Sequence, residues 1–265
     1  MAEAQGAAPR RYAIGGWRVE RYGVLDSTSE EAKRRALAGD PGRLWILADR
    51  QTAGRGRHGR DWLSPIGNFY GSALLIAPCA TADAPQLGFV AGVAARTAIA
   101  DFGAGRVGLK WPNDLVADGA KLAGVLLEGW SVGAGFGVSI GIGVNLAWHP
   151  SDLAYPAADL SALIGRAVSV RDFLERLALR FDERLTAYAR GAGFAEIRRQ
   201  WLAAAAGLGQ PMRASSRTGV REGLFEGLDA RGRLLLRDGD AIETIESADV
   251  ALLGATAAAP PPRKV

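Results

Sequence analysis

The sequence predicts an α+β protein with a separate, small β-domain at its C-terminal end. Up to about residue 206, apolar runs of strand length alternate with segments of helical periodicity. From residue 208 to 253 the pattern changes to short alternating segments separated by Gly and Asp-Gly turns, which favours a barrel of about five strands. A chain of 265 residues, 48% of them hydrophobic, is long enough for one large domain plus a small one.

The elements of the first domain are predicted from periodicity and turn signals. Strands are expected at 44–48, 69–76, 107–116, 121–130 and 136–146, with a further strand within 12–24. Helices are expected at 28–38, 87–102, 170–188 and 194–204. Two overlapping capping boxes, Ser27 with Glu30 and Thr28 with Glu31, predict the start of the first helix. Asp118-Gly119 predicts a hairpin between the strands on either side of it.

The same patterns divide the chain into four segments. We expect a disordered N-terminus at 1–11, a first domain at 12–206, a C-terminal β-domain at 207–254 and a proline-rich tail at 255–265.

Composition excludes several classes of protein. A single cysteine, Cys79, rules out an intrachain disulfide and fits a reducing cytosol. With only two histidines, His58 and His149, the chain offers little for a His/Cys metal site. No stretch near the N-terminus is typical of a secretory h-region, and no apolar run has membrane-spanning length. The net charge of +4 is mild and says little about partners.

The segment 51–62 is the most informative part of the chain. Between Gly54 and Arg60 it packs three arginines and three glycines into seven residues. Arginine presents a planar fork of donors that suits carboxylate and phosphate, and glycine lets backbone N–H groups approach the same ligand. We therefore predict a loop that orders around an anionic ligand, with His58 as a spacer.

The loop also fits other interpretations. Gly54-x-Gly56-x-x-Gly59 matches the dinucleotide fingerprint, but Ser64-Pro65 follows where that motif needs a helix. An arginine-rich RNA-binding segment and a plain solvated loop stay open as alternatives.

Two further segments carry polar groups at strand ends. Residues 110–115 form a rigid Pro-Asn-Asp turn, and if the predicted hairpin forms, Lys110, Asp114 and Lys121 converge on one ligand. The alternative is an ordinary turn. Residues 141–145 place small residues on a strand, which suits either close backbone approach or tight core packing.

Taken together, these motifs resemble those of the biotin protein ligases. Asp26-Ser27-Thr28, the loop 51–62 with Ser64-Pro65, and the segments 110–115, 121–124 and 141–145 occur in that family's order and approximate spacing. The resemblance covers roughly residues 20–254. It implies a mixed β-sheet with packed helices, as in biotin/lipoate ligases, followed by a small SH3-like β-barrel.

The resemblance also implies a cytoplasmic, ATP-dependent ligase that modifies a protein in two steps. Biotin and ATP with Mg²⁺ first form biotinyl-5′-AMP and pyrophosphate. A lysine of the biotin carboxyl carrier protein of acetyl-CoA carboxylase then accepts the biotin and AMP is released. About 20 residues precede the first motif, too few for the DNA-binding domain of many relatives, so we expect no DNA and no membrane partner. A homodimer is left open.

The family's site residues carry over onto matching positions of this sequence. The catalytic residues would be Arg55, Arg57 and Lys121. Biotin would be bound by Ser27, Thr28, Ser29, Gln51, Gly54, Arg55, Gly56, Arg57, Lys121 and Gly124. ATP and the adenylate would be bound by Arg57, Arg60, Trp62, Lys110, Asn113, Asp114, Lys121 and Asn145, with Asp114 also a ligand of Mg²⁺. Trp148, in the loop 146–160, is a candidate for stacking on adenine.

Two positions depart from the family pattern, and two other functions compete. Ser29 stands where Asn is common and His58 where Arg or Lys is often seen. A lipoate or octanoate protein ligase would share the fold but not the full arginine loop. A nucleic-acid-binding module that uses this loop would bind in a salt-dependent manner without ATP.

Overall fold

The computed structural model describes residues 8–133, 135–216 and 219–253. The strands are Arg10–Ile14 (β1), Trp17–Leu25 (β2), Leu44–Gln51 (β3), Phe69–Ile76 (β4), Val107–Lys110 (β5), Asp114–Ala117 (β6), Ala120–Val132 (β7), Gly135–Val144 (β8), Pro211–Ser216 (β9), Gly219–Leu228 (β10), Leu234–Asp238 (β11), Ala241–Ile245 (β12) and Asp249–Leu252 (β13). The helices are Thr28–Leu37 (α1), Leu87–Ala100 (α2), Leu160–Ile164 (α3), Val170–Tyr188 (α4) and Phe194–Ala203 (α5).

The first domain is built on an eight-stranded mixed sheet. Its strand order is β1-β2-β3-β4-β8-β7-β6-β5. Strands β2 and β3 are parallel, and α1 provides the crossover that parallel neighbours require. The other neighbouring pairs are antiparallel.

Both faces of the sheet are covered by helices, which explains the continuous apolar run of its third strand. In β3, Trp45 and Leu47 join the large core beneath α2, α4 and α5. The alternating residues Leu44, Ile46 and Ala48 pack in a smaller cluster beneath α1 on the opposite face. Side chains of a strand point alternately to the two faces, so a strand covered on both faces is apolar throughout.

The C-terminal domain is a five-stranded antiparallel sheet with the order β12-β11-β10-β9-β13. It is consistent with a small SH3-like domain and confirms the predicted α+β class. This domain packs directly on the first one: the indole nitrogen of Trp111 donates to the carbonyl of Gly232 at 3.1 Å. Phe225 and Val250 share one hydrophobic core with Trp45.

The structure corrects several predicted boundaries. Arg10 and Arg11 belong to β1, although 1–11 was expected to be disordered, and the region 12–24 holds two strands instead of one. The strand predicted at 107–116 is split into β5 and β6 by the turn at Pro112. Proline has no N–H to donate to a strand ladder, so the ladder breaks there. Residues 1–7 and the predicted tail lie outside the described residues.

The predicted capping boxes do not form. Ser27 is the N-cap of α1, but its side chain makes no capping hydrogen bond. The backbone N–H of Thr28 donates instead to Gln51 Oε1 at 2.8 Å. The short helix α3 was not predicted; the carboxylate of Asp159 caps it by accepting from the N–H of Ala162 at 2.8 Å.

Candidate active site

The loop rich in arginine and glycine forms a compact turn between β3 and β4. A bridge joins Arg55 to Asp61, and the N–H of Gly56 donates to the carbonyl of Arg60 at 2.7 Å. His58 and Gly59 turn the chain with φ angles of 58° and 73°. Left-handed backbone is uncommon for histidine and easy for glycine. The predicted anion-wrapping loop is thus closed on itself at its base.

Arg55 lies at the base of the loop between two carboxylates. Its guanidinium is 2.7 Å from Glu30 of α1 and 2.9 Å from Glu128 of β7. These contacts neutralise its charge and tie the loop to the sheet and to α1.

Arg57 and Arg60 reach the C-terminal domain. Arg57 donates to the carbonyl of Ala248 at 3.2 Å and to Ser247 Oγ at 3.0 Å. Arg60 donates to Asp249 Oδ1 at 2.9 Å. Burial lowers the pKa of Arg57, and the carboxylate of Asp249 opposes that shift. A buried cation with incomplete compensation favours an incoming anion.

Lys110, Asp114 and Lys121 converge, as the predicted hairpin required. Lys121 Nζ lies 2.8 Å from Asp114 Oδ1. Burial lowers the pKa of Lys110, while Asp114 raises it and Lys121 lowers it further. Asn113 belongs to the turn itself, because its side-chain amide donates to the carbonyl of Val125 at 2.7 Å. Arg57, Lys110 and Lys121 therefore all interact with the charge of one carboxylate, that of Asp114.

A chain of buried hydroxyl groups lies beside these cations. Ser72 Oγ donates to Thr28 Oγ1 at 2.8 Å, and Thr28 Oγ1 is 3.2 Å from Gln51 Oε1. Ser29 Oγ is 3.3 Å from Ser72 Oγ and accepts from Ser139 Oγ at 3.2 Å. Ser27 is buried at the start of the same helix.

Sequence reasoning did not single out Ser72 and Ser139. Each is fully buried in the middle of an apolar strand, β4 and β8 respectively. A hydroxyl at an interior strand position is the signal that could have found them, since buried polar groups require partners.

The indole of Trp62 packs against glycine residues of the sheet. A Cβ atom added at Gly143 would be 2.6 Å from the indole, and one at Gly124 would be 3.3 Å from it. A Cβ at Gly141 would be 3.1 Å from Ser29 Oγ. Glycine is therefore required at Gly143 for the indole to approach the sheet. The indole nitrogen of Trp62 is buried with no hydrogen-bond partner within the described part of the chain.

The loop 146–159 forms the remaining wall. Asn145 holds its two ends together by donating to the carbonyl of Ala158 at 3.0 Å. Asn68, which the sequence reasoning also missed, accepts from the N–H groups of residues 146, 147 and 148. A cavity of about 40 Å³ lies between this loop, Trp62 and Lys121. Tyr155 lines the cavity, 5.6 Å from Lys121 Nζ, whereas Trp148 is not among the lining residues.

Within residues 8–133, 135–216 and 219–253, no three His, Cys, Asp or Glu side chains are grouped to hold a metal ion. Over the same ranges, no helix has the length and apolar character needed to cross a membrane.

Comparison with known proteins matches both domains. Residues 23–145 match the model of the biotin/lipoate A/B protein ligase family, and residues 207–253 match that of the biotin protein ligase C-terminal domain. A biotin–[acetyl-CoA-carboxylase] ligase of Paracoccus denitrificans is 42% identical over 236 residues, which are 85% of this chain and 96% of the relative.

Other relatives agree. The bifunctional ligase/repressor BirA of Bacillus subtilis is 34% identical over 87% of this chain and 73% of its own length. The biotin protein ligase of Aquifex aeolicus in complex with biotin and ATP superimposes with a TM-score of 0.76 and 28% identity, covering 89% of this chain and 98% of that structure. The fold, the two matched domains and the identity over nearly the whole chain together show that this protein belongs to the biotin protein ligase family.

Proposed function

We propose that this chain is an ATP-dependent biotin–protein ligase that modifies the biotin carboxyl carrier protein of acetyl-CoA carboxylase. The observation that carries the proposal is the cluster of Arg57, Lys110 and Lys121 beside a buried chain of hydroxyl groups. The cations suit a carboxylate and a phosphate, and the hydroxyls suit a neutral polar ring.

The hydroxyl chain is assigned to the ureido ring of biotin. Thr28, Ser29 and Gln51 lie along it, Ser72 and Ser139 extend it, and Ser27 is buried beside Thr28. Each hydroxyl that donates to its neighbour keeps a lone pair free, and the ureido N–H groups require such acceptors. Gly124 and the neighbouring Gly143 let the Trp62 indole lie against the sheet, and Gly124 is assigned to the biotin site beside it.

The cation cluster is assigned to the first step. In that step a carboxylate oxygen of biotin attacks the α-phosphorus of ATP, and the bond to the pyrophosphate oxygen breaks. Two anionic groups must be brought together, so Arg57 and Lys121 contribute by neutralising both and by stabilising the added charge of the transition state. Lys110 and Asn145 are assigned to the side of the site that holds the nucleotide. Arg60 and Trp62 close the arginine loop above the nucleotide.

Arg55 is assigned a different part in the same site. Its Nη2 atom contacts both Glu30 and Glu128, so this nitrogen is committed within the protein. It contributes by holding the base of the loop, where Gly54 offers its backbone N–H to the ligand and the N–H of Gly56 closes the turn on the carbonyl of Arg60. A Cβ on Gly54 would lie 2.6 Å from the carbonyl of Trp62, so a larger residue would displace the loop.

Asp114 would hold the Mg²⁺ ion that accompanies ATP, and the ion would supply neutralisation of the phosphate charge. The donor set fits that arrangement, because Mg²⁺ in nucleotide sites commonly takes one or two carboxylates plus phosphate oxygens. Asp114 supplies one carboxylate and shares it with Lys121.

In the second step the lysine amine of the carrier protein attacks the carbonyl carbon of the anhydride. The bond from that carbon to the phosphate oxygen breaks, AMP leaves and the amine loses a proton. Until then the closed loop and Trp62 keep water from the anhydride. The single cysteine and the need for ATP support a cytoplasmic location for the proposed reaction.

The first half-reaction gives the decisive experiment. Exchange of labelled pyrophosphate into ATP is measured with biotin, lipoate or octanoate as the acid, and then biotin transfer to the carrier protein is measured. We expect exchange with biotin alone, followed by transfer to one carrier lysine. Exchange only with lipoate or octanoate would place the protein with the sister ligases. Absence of exchange with every acid, together with salt-sensitive binding of RNA or DNA, would support the nucleic-acid alternative.

A further inference from the structure

Three polar side chains of the arginine loop meet one short segment of the C-terminal domain. Arg57 donates to Ser247 Oγ and to the carbonyl of Ala248, and Arg60 donates to Asp249 Oδ1. His58 Nε2 lies 3.9 Å from the same carboxylate oxygen of Asp249. The two sides of this contact are about 190 residues apart in the sequence.

The C-terminal side of the contact is rigid. Asp249 is the first residue of β13 and pairs with Ser215 of β9, and the next residue, Val250, is buried in the core. The loop side is also well defined, because Arg60 donates from its backbone N–H and from Nε to the carbonyl of Arg57. A carboxylate fixed on a sheet can therefore set the position of the whole turn 56–60.

The contact leaves Arg57 available for a ligand. Asp249 Oδ1 is 3.8 Å from Arg57 Nη1, beyond hydrogen-bond distance. The two hydrogen bonds to Ser247 and Ala248 occupy two of the five N–H donors of a guanidinium. Asp249 thus holds the neighbours of Arg57 without saturating Arg57 itself.

We propose that Asp249 is a positioning residue: through Arg60 and His58 it latches the arginine loop over the active site, so that Arg57 stays directed at the bound adenylate. This inference rests on the proposed ligase function. It makes the C-terminal domain a part of the active site, because the segment 247–249 decides how long the loop stays closed.

The primary test is the rate at which biotinyl-5′-AMP leaves the enzyme in the absence of carrier protein. Asp249→Asn removes the charge and keeps the shape. Asp249→Glu keeps the charge. Glu246→Gln is the matched control, because Glu246 is 79% exposed and pairs only weakly, with Arg233 at 3.3 Å. We expect release from D249N to be about five-fold faster, in line with the loss of a half-exposed ion pair.

The outcomes separate two roles for the carboxylate. Partial rescue by D249E, with E246Q at the wild-type rate, supports the latch. Release from D249N that is unchanged or slower would overturn it. Slower release would show that the carboxylate merely competes with the phosphate for the arginines.

A second measurement does not depend on catalysis. Trypsin cleaves after arginine, so the rate of cleavage within residues 55–60 of the ligand-free protein reports opening of the loop. We expect faster cleavage in D249N and in Ser247→Ala, which loses one hydrogen bond to Arg57 and tests the latch even if D249N folds poorly. Cleavage of both variants at the rate of E246Q would overturn the latch. If the wild-type protein formed no adenylate but showed this pattern, the proposed function would fail and the latch would stand.

Discussion

Lys121 and Asp114 form an ion pair of 2.8 Å between neighbouring strands at the mouth of the site. They do not face each other in the ladder, because Asp114 pairs with Gly124 and Lys121 pairs with Val116. The register shifts between Leu115 and Val116, and irregularities of this kind re-aim side chains next to active sites. The pair places one ammonium 5.4 Å from the Trp62 ring, where the biotin carboxylate and the α-phosphate are proposed to meet.

Lys121→Ala should abolish adenylate formation. The variant removes the ammonium that neutralises the two anions and leaves Asp114 without its partner, which adds a repulsive charge. Pyrophosphate exchange should fall at least about a hundred-fold, a loss of the size seen when one transition-state donor is removed. Lys33→Ala on α1 serves as the control. Near-normal exchange in K121A would remove Lys121 from the catalytic group.

Arg57→Gly should leave the fold intact and let the adenylate escape. The side chain of Arg57 donates to Ser247 and to the carbonyl of Ala248, so its loss weakens the loop without opening the core. Free adenylate then acylates exposed amines indiscriminately. Mass spectrometry of a mixture of carrier protein and an unrelated lysine-rich protein would detect the labelling. Arg199→Gly, which removes an exposed arginine paired to Glu196, should keep strict carrier selectivity.

The pH dependence of the KM for ATP should follow the protonation of Lys110. Burial lowers the pKa of Lys110 below the ordinary lysine value of 10.5. A base with a lowered pKa gives up its proton at a lower pH, so the charge at this position is lost on the alkaline side earlier than in a free lysine. The KM for ATP should therefore rise as the pH approaches 10.5, with biotin saturating. Lys110→Arg should not show this rise, because arginine stays protonated there. An identical profile in both proteins would contradict this assignment.

Ser72→Ala should weaken biotin binding more than it weakens the fold. The hydroxyl donates to Thr28 and contacts Ser29, so its removal leaves both without one partner. A lost hydrogen bond in a buried network is worth about 1 kcal/mol, which corresponds to about five-fold in the KM for biotin. The kcat should change little. The KM for ATP, measured in the same variant, is the control. A change in the KM for ATP with no change in the KM for biotin would contradict the placement of biotin.

Gly143→Ala should displace Trp62. The added methyl group would lie 2.6 Å from the indole, closer than carbon atoms tolerate. We expect a loss of about 1–3 kcal/mol in the free energy of unfolding, a shifted tryptophan emission and impaired adenylate formation. Gly129→Ala is the matched control, because its nearest neighbour would be an ordinary contact at 3.7 Å. An emission spectrum of G143A identical to that of the wild type would show that the position of the indole does not depend on a glycine at residue 143.

Local patterns predicted much of the fold. The strand Phe69–Ile76 and the helix Val170–Tyr188 have the predicted bounds, because each is decided by periodicity within its own segment. The convergence of Lys110, Asp114 and Lys121 was also predicted, since a hairpin brings together residues that are close in sequence.

Contacts between residues far apart in the sequence could not be predicted from local patterns. Ser72 and Ser139 meet because β4 and β8 are neighbours, which depends on the order of the whole sheet. The contact of Arg57 with Ser247 depends on how the two domains pack. The capping box of α1 failed for a similar reason, because Gln51 of β3 took the N–H of Thr28. In each of these cases the contact is made by a residue far away in the sequence, which local patterns do not show.

The hydrogen bond from Trp111 to Gly232 joins the polar turn beside Lys110 to the C-terminal sheet. A Cβ atom added at Gly232 would lie 2.6 Å from the ring of Phe89, so the two domains are closely packed at this point. Residues of both contribute to a single apolar interior. They should consequently melt as one cooperative unit, with a single calorimetric transition. Deleting the last fifty or so residues would expose the interior of the remainder, and the truncated chain would be expected to aggregate instead of surviving as a minimal enzyme.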